Sequence, residues 1–296
     1  VQIIRDRMEK MDGTAGQGVD PNHYFWAAPL AYTAHQSANG IPSAAYTQNT
    51  GGFAMGADQS INPDLRIGGA LILQNSSLKG QNTQTKDSLG TMSYQLAAYA
   101  KQKIAQGTEA NLIANIGLDQ NNSSRLDSIG TPLNATASYK GWHGLVSGEL
   151  DHRLEIGQST ITPLARVDYG YVNVGAYNES GAGLSNLAVN SQTQSSTIGS
   201  VGAKYRYDIN EANRILMRVT AGHDFSAKAA SLTATDGTGM AYTTYGNKMG
   251  SLVMQGGVGY EMQTKDNMRI RLNYDYMGRN SGYSNNMINA SLIMPF

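Results

Sequence analysis

Counting back from Phe296 in steps of two gives Met294, Leu292, Ala290 and Ile288, an unbroken apolar row, while Asn289 and Ser291 fall between them. Successive side chains of a strand point to opposite faces. The segment therefore reads as a strand with one greasy face and one partly polar face. In a soluble domain, an exposed apolar edge of this kind would invite strand-to-strand aggregation. Facing lipid it is at home, and the pattern predicts a β-barrel of a bacterial outer membrane.

The same period of two runs from His23 onward. Phe53, Met55 and Ala57 alternate with Gly52, Ala54, Gly56 and Asp58; after the turn signal Asn62-Pro63-Asp64, Leu65, Ile67, Gly69, Leu71 and Leu73 oppose Arg66, Gly68, Ala70 and Gln74. Further along, Trp142, Val146, Leu150, Leu154 and Ile156 oppose Ser147, Glu149, Asp151, Arg153 and Glu155. Twelve antiparallel strands are predicted, over 23–35, 50–61, 65–79, 91–105, 109–121, 139–156, 160–177, 195–209, 213–227, 248–263, 267–279 and 284–296. The connections alternate. Short turns near Pro63, Gly107, Gly157, Glu211 and Lys265 belong on the periplasmic side, and longer polar loops, among them 178–194 and 228–247, on the outer side.

Composition agrees with this class. Charged residues make up 15% of the 296, below the ~25% of a typical soluble chain. No apolar run approaches the ~20 residues of a membrane helix. A mean hydropathy of −0.37 still suits a barrel, because half of its strand residues face the lumen. A net charge of zero gives no reason to expect nucleic acid as a partner. The lack of cysteine fits passage through an oxidising periplasm. Val1 to Met11 is charged and has no signal-peptide core, so the chain is expected to be the mature C-terminal part of a longer one.

That first stretch reads as a helix over Ile3–Met11, with Ile4, Met8 and Met11 on one stripe and Arg5, Asp6, Arg7, Glu9 and Lys10 elsewhere. An even number of strands brings the start of the first strand to the same, periplasmic rim as Phe296. The charged helix then belongs inside the lumen. Residues 1–22 are expected to be lumen helix and linker, and 23–296 the barrel, as one structural unit. Charges sort to the row opposite the apolar one: Asp58, Arg66, Glu149, Asp151, Arg153, Glu155, Arg166, Asp168, Lys204, Arg206, Arg214, Arg218, Glu261, Arg269, Arg271 and Asp275. These are the expected pore-lining residues, since a charge at mid-bilayer on the lipid face costs about 2–4 kcal/mol. Tyr169, Tyr171, Tyr205, Tyr207, Tyr260, Tyr274 and Tyr276 fall on the apolar rows near strand ends, as in an interfacial aromatic girdle.

The stretch Gly51-Gly52-Phe53-Ala54-Met55-Gly56-Ala57-Asp58, followed by Leu65-Arg66-Ile67-Gly68-Gly69-Ala70-Leu71, resembles the second and third strands of the translocator β-domain of autotransporters, the type V secretion family. His23 to Tyr32 is similar to that family's first strand, and Met268 to Phe296 to its last two strands with the terminal aromatic. The resemblance covers nearly the whole chain. It implies a twelve-stranded outer-membrane pore of a Gram-negative bacterium, with an N-terminal helix in its lumen. It also implies a covalently linked passenger exported to the cell surface, contacts with outer-membrane lipid and lipopolysaccharide, a monomeric barrel and no cofactor. The row Leu292, Met294 and Phe296 would be read by the barrel-assembly machinery. Some members cut their passenger at an Asn within the helix, but here no Asn precedes Asn22.

Two other classes compete with this one. A stand-alone channel or porin would have no use for the N-terminal helix. A barrel enzyme has one candidate: His35-Gln36-Ser37-Ala38-Asn39-Gly40 resembles the His-x-Ser-Asn-Gly of outer-membrane phospholipase A, with Ala38 inserted. His143, His152 and His223 are isolated and lack zinc-pair spacing, so no metal is expected. Asp236-Gly237-Thr238-Gly239 reads as a turn, and His152 on the apolar row predicts a bulge or an interfacial depth there.

Overall fold

Alternating strands can satisfy their backbone in a membrane only by closing on themselves. The computed structural model shows that closure and describes residues 1–9, 23–38, 45–81, 87–127, 132–264 and 268–296. It contains the helix α1 (Gln2–Glu9) and the strands β1 (His23–Gln36), β2 (Tyr46–Asn62), β3 (Leu65–Gly80), β4 (Ser88–Ala105), β5 (Thr108–Asp127), β6 (Leu133–His152), β7 (Leu154–Ile156), β8 (Ser159–Val174), β9 (Tyr177–Asn178), β10 (Leu187–Val189), β11 (Gln192–Asp208), β12 (Asn213–Asp224), β13 (Ala229–Asp236), β14 (Ala241–Lys248), β15 (Leu252–Gln263), β16 (Arg269–Arg279) and β17 (Tyr283–Pro295). Among the described residues, twelve strand positions form one antiparallel ring, with β6 and β7 sharing a position. The ring closes where β17 pairs with β1 and β8 with β11.

The break between β6 and β7 has a local cause. β5 begins at Thr108, which pairs with His152, so β7 has lost its neighbour on that side and pairs with β8 alone. At the break, the Arg153 backbone N–H donates to the Gly107 carbonyl at 2.6 Å. His152 stays on the outward face at the rim and meets the Thr108 hydroxyl at 2.8 Å. Among the short turns, Gly107 and Gly157 have φ of 73° and 62°. At the next turn, the Asn210 side-chain carbonyl accepts the N–H groups of Ala212 and Asn213. The turn near Lys265 lies outside the described residues.

The outer side departs from the expected polar loops. β5 and β6 are 20 residues each, about twice what a barrel strand needs to cross a bilayer, and they project beyond it. The segments expected as loops over 178–194 and 228–247 fold into a second sheet in the order β14-β13-β10-β9. No alternation marks it: β9 and β10 are two and three residues long, and β13 and β14 are rich in Thr and Ala without a sustained apolar row. Arg125 ties this sheet to β5 through both oxygens of Glu179, at 3.1 and 2.6 Å. Asp236 does close a turn: it accepts from Thr238 and from the Met240 N–H, and those hydrogen bonds hold its carboxyl below the usual range.

Face assignment follows the alternation. Phe53, Leu71, Leu96, Val146, Val201, Met217, Leu272 and Ile288 are exposed on the outside, and Tyr169, Tyr207, Tyr260, Tyr274 and Tyr276 share that outer surface. The inner row is not polar throughout, and β1 departs from that expectation most. β1 turns Tyr24, Trp26, Ala28 and Leu30 inward, all buried. Its neighbours make room with glycine. A Cβ on Gly68 would lie 2.3 Å from the Tyr99 ring, and one on Gly56 2.7 Å from the Trp26 ring. Gly68→Ala is therefore expected to cost about 1–3 kcal/mol by overpacking, read as a lower urea midpoint of the refolded barrel. Outward-facing Gly69→Ala, with its nearest atom at 3.7 Å, should leave the midpoint near that of the parent.

Candidate functional site: the lumen and its helix

An isolated helix of eight residues is unstable in water, so α1 depends on the wall around it. One side of it is apolar. Ile3, Ile4 and Met8 pack into a buried cluster with Tyr24, Trp26, Leu30, Ile72, Tyr99, Ile113 and Ile293. Burying such side chains is worth about 1.5–3 kcal/mol each. The other side is charged and meets three groups of wall residues.

The first group centres on Asp58. Its carboxylate accepts both Nε and Nη2 of Arg7, at 2.7 and 2.6 Å, and Nη1 of Arg66 at 3.2 Å. It also accepts the Tyr99 hydroxyl at 3.1 Å, and that oxygen in turn receives the Trp26 indole N–H at 2.7 Å. Both guanidinium groups lie over the Tyr24 ring, about 5 Å from its centre. The second group receives Arg5, which bonds Asp168 and the Ser147 hydroxyl. Behind it, Arg166 bridges Glu149 and Asp168, and Lys204 bridges Glu149 and Asp151 at 2.6 and 2.9 Å. The third group takes the acidic residues of the helix. Glu9 bonds Arg218 at 2.7 Å and Arg271 at 2.9 Å, while Asp6 accepts from Asn273 and Asn289. Arg218 continues to Asp275.

The helix ends among cations. Lys101 Nζ donates to the Met8 carbonyl and Arg271 to the Asp6 carbonyl, which suits the negative end of a helix. These contacts also orient it. Lys101, Asp58 and Arg271 lie near the short-turn ends of their strands, whereas Asp168 and Ser147 lie further up theirs. Residue 1 is thus directed toward the side of the long loops.

The other residues expected in the lumen sit lower. Arg214 joins Asp208 and Glu261, and Arg206 also meets Asp208. Arg153 faces Glu109, and Glu155 is exposed at the short-turn rim, where both line an open polar mouth of about 570 Å³. Arg269 is half-buried near the same end. Met11 lies outside the described residues. Of the terminal row, Phe296 is 73% exposed with its ring 5.7 Å from that of His23, and Leu292 and Met294 share its outward face.

The Tyr99–Trp26 link, the amides on Asp6 and the lysine at the helix end were not anticipated. β1 did carry a signal: Tyr24-Phe25-Trp26-Ala27-Ala28 is apolar on both faces, so its inner row needed an apolar partner. Of the His35 motif, Asn39 and Gly40 lie outside the described residues; Ser37 Oγ lies 3.5 Å from His35 Nε2, and His35 Nδ1 meets the Thr47 hydroxyl at 3.3 Å.

A closed ring of twelve strands around one N-terminal helix is the architecture the sequence resemblance implied. The family model described as the autotransporter beta-domain matches residues 25–275. The chain belongs to this family. It is an outer-membrane translocator domain of a Gram-negative bacterium. Outer membrane protein B of Rickettsia rickettsii is 29% identical over 188 residues, covering 61% of this chain and 11% of that protein. Outer membrane protein A of the same organism is 24% identical over 296 residues, covering 93% and 13%. The chain thus spans little more than a tenth of these relatives. In fold, it is similar to the translocator domain of the autotransporter NalP from Neisseria meningitidis, with a TM-score of 0.77 at 14% identity over 100% of this chain and 95% of that one.

In this β-domain, net gain from a buried ion pair is small, but removal of one partner costs about 3–5 kcal/mol. The apolar face therefore supplies the helix's affinity, and the charges fix its rotation and depth. Asp58→Asn, which takes the bidentate carboxylate from the buried Arg7, is expected to loosen the helix and give flickering conductance in planar bilayers. Combining it with Arg7→Leu should restore quieter traces, because the buried charge that lost its carboxylate is gone.

Proposed function

We propose that the barrel anchors a polypeptide joined ahead of α1 and helps carry it to the cell surface, after which α1 remains as the plug. The observation that carries this reading is the direction of the clamped helix. Its first residue heads for the long-loop side, so a segment preceding it would leave through the outer mouth. A fitted helix, held on both an apolar and a charged face, also speaks against an open porin. The wall residues around it, from Asp58 to Asp275, act in this reading as the seat of the plug. Deleting residues 1–18 should raise single-channel conductance severalfold in planar bilayers. Intact chain that already conducts like an open pore would overturn the plug.

The outward row of Leu292 and Met294 on β17, the strand that meets β1 at the seam, with Phe296 just past its end, is proposed as the surface offered to the barrel-assembly machinery, with the folded product a monomer in lipid. Phe296→Ala should lower the amount of folded barrel in outer membranes while leaving refolding in detergent intact. Normal levels in cells would leave Phe296 as a girdle residue only.

A further inference from the structure

Most of the lipid-facing surface is convex. Across β4, β5, β6 and β8 it is interrupted by a recess of about 690 Å³. Two neighbouring register rows create it. In one, Leu96 pairs with Ile116, Ile116 with Gly144, and Gly144 with Tyr171. A glycine thus stands in a row of large outward side chains. In the next row toward the periplasm, Ala98 pairs with Ala114. These three small residues floor the recess.

Crowding does not explain the glycine. A Cβ on Gly144 would meet nothing nearer than the Asn115 carbonyl at 3.6 Å and the Trp142 ring at 3.8 Å, both ordinary contacts. The lining carries no charged side chain. At the upper, long-loop end the rings of Trp142 and Tyr171 lie 5.0 Å apart. Each offers an apolar body with a polar handle, the chemistry of a membrane interface.

We propose that this recess seats one acyl chain of an outer-leaflet lipid, its methylenes along Ala98, Ala114 and Gly144 and its ester region against Trp142 and Tyr171. The recess is continuous with the lipid boundary of an outer-membrane barrel, which commits it to hydrocarbon. A second barrel, itself convex, would rest on Leu96 and Trp142 and leave the floor empty. A flexible chain reaches that floor. Since the competing environment is also hydrocarbon, the gain comes from packing rather than from release of water. The site should therefore select chains by fit.

Trp142 makes the proposal measurable. The chain has two tryptophans, and the other, Trp26, is buried in the lumen. Purified full chain in non-ionic detergent would be titrated with phosphatidylethanolamine carrying brominated acyl chains. Saturable quenching of Trp142 at about one lipid per barrel is expected, weakened severalfold in Gly144→Leu and preserved in Ala221→Leu, an outward alanine on β12. Folding of each variant is checked by heat-modifiable gel mobility, with Ala114→Val replacing a Gly144→Leu that does not fold. Non-saturating quenching, or equal quenching in all variants, overturns the site. A concentration-dependent dimer abolished by Gly144→Leu also overturns it, in favour of contact between barrels.

Discussion

Every backbone N–H and C=O inside a bilayer must find a partner within the protein. The rest of the molecule follows from how this chain meets that demand. Pairing of β17 with β1 and of β8 with β11 turns a sheet into a ring. A ring has an inside, and that inside then needs filling. The helix fills it, and the wall facing the helix is not uniform. β1 and the inner glycines and alanines of β2 to β4 form an apolar arc. Strands β6, β8, β11, β12 and β16 present most of the charges, and Asp58, Arg66 and Lys101 stand at the short-turn end of the apolar arc. Closure, lumen polarity and helix seating are therefore one problem solved together.

Much of this could be read from residue order. Alternation over 23–296 located all twelve barrel positions, because a lipid-facing row must stay apolar along its whole length, whatever the local turn chemistry. Charge sorting placed Asp58, Arg166, Lys204 and Arg271 on the inner row for the same reason. Three features resisted. The outer sheet has strands of two to eight residues stabilised by cross-loop contacts such as Arg125–Glu179, which no period reveals. The break at Arg153 depends on where the neighbouring strand happens to start. The Asp58 network joins residues 7, 26, 58, 66 and 99, whose proximity exists only after closure.

The family model rests on sequence and fixes membership. The likeness to the NalP translocator domain persists at 14% identity, so the fold survives replacement of most side chains. Alternation asks only for an apolar and a polar row on each strand, whatever side chains fill them.

A lumen greasy on one side and charged on the other works as a keyway. Sliding α1 by a single residue would turn its faces by about 100°, swinging Ile3 and Ile4 toward Arg218 and Arg271 and carrying Arg7 away from Asp58. Every small displacement is thus penalised twice, once in each half of the wall. The barrel has no gradual way to loosen its core, so seating of the helix should behave as a latch with two positions and nothing stable between them.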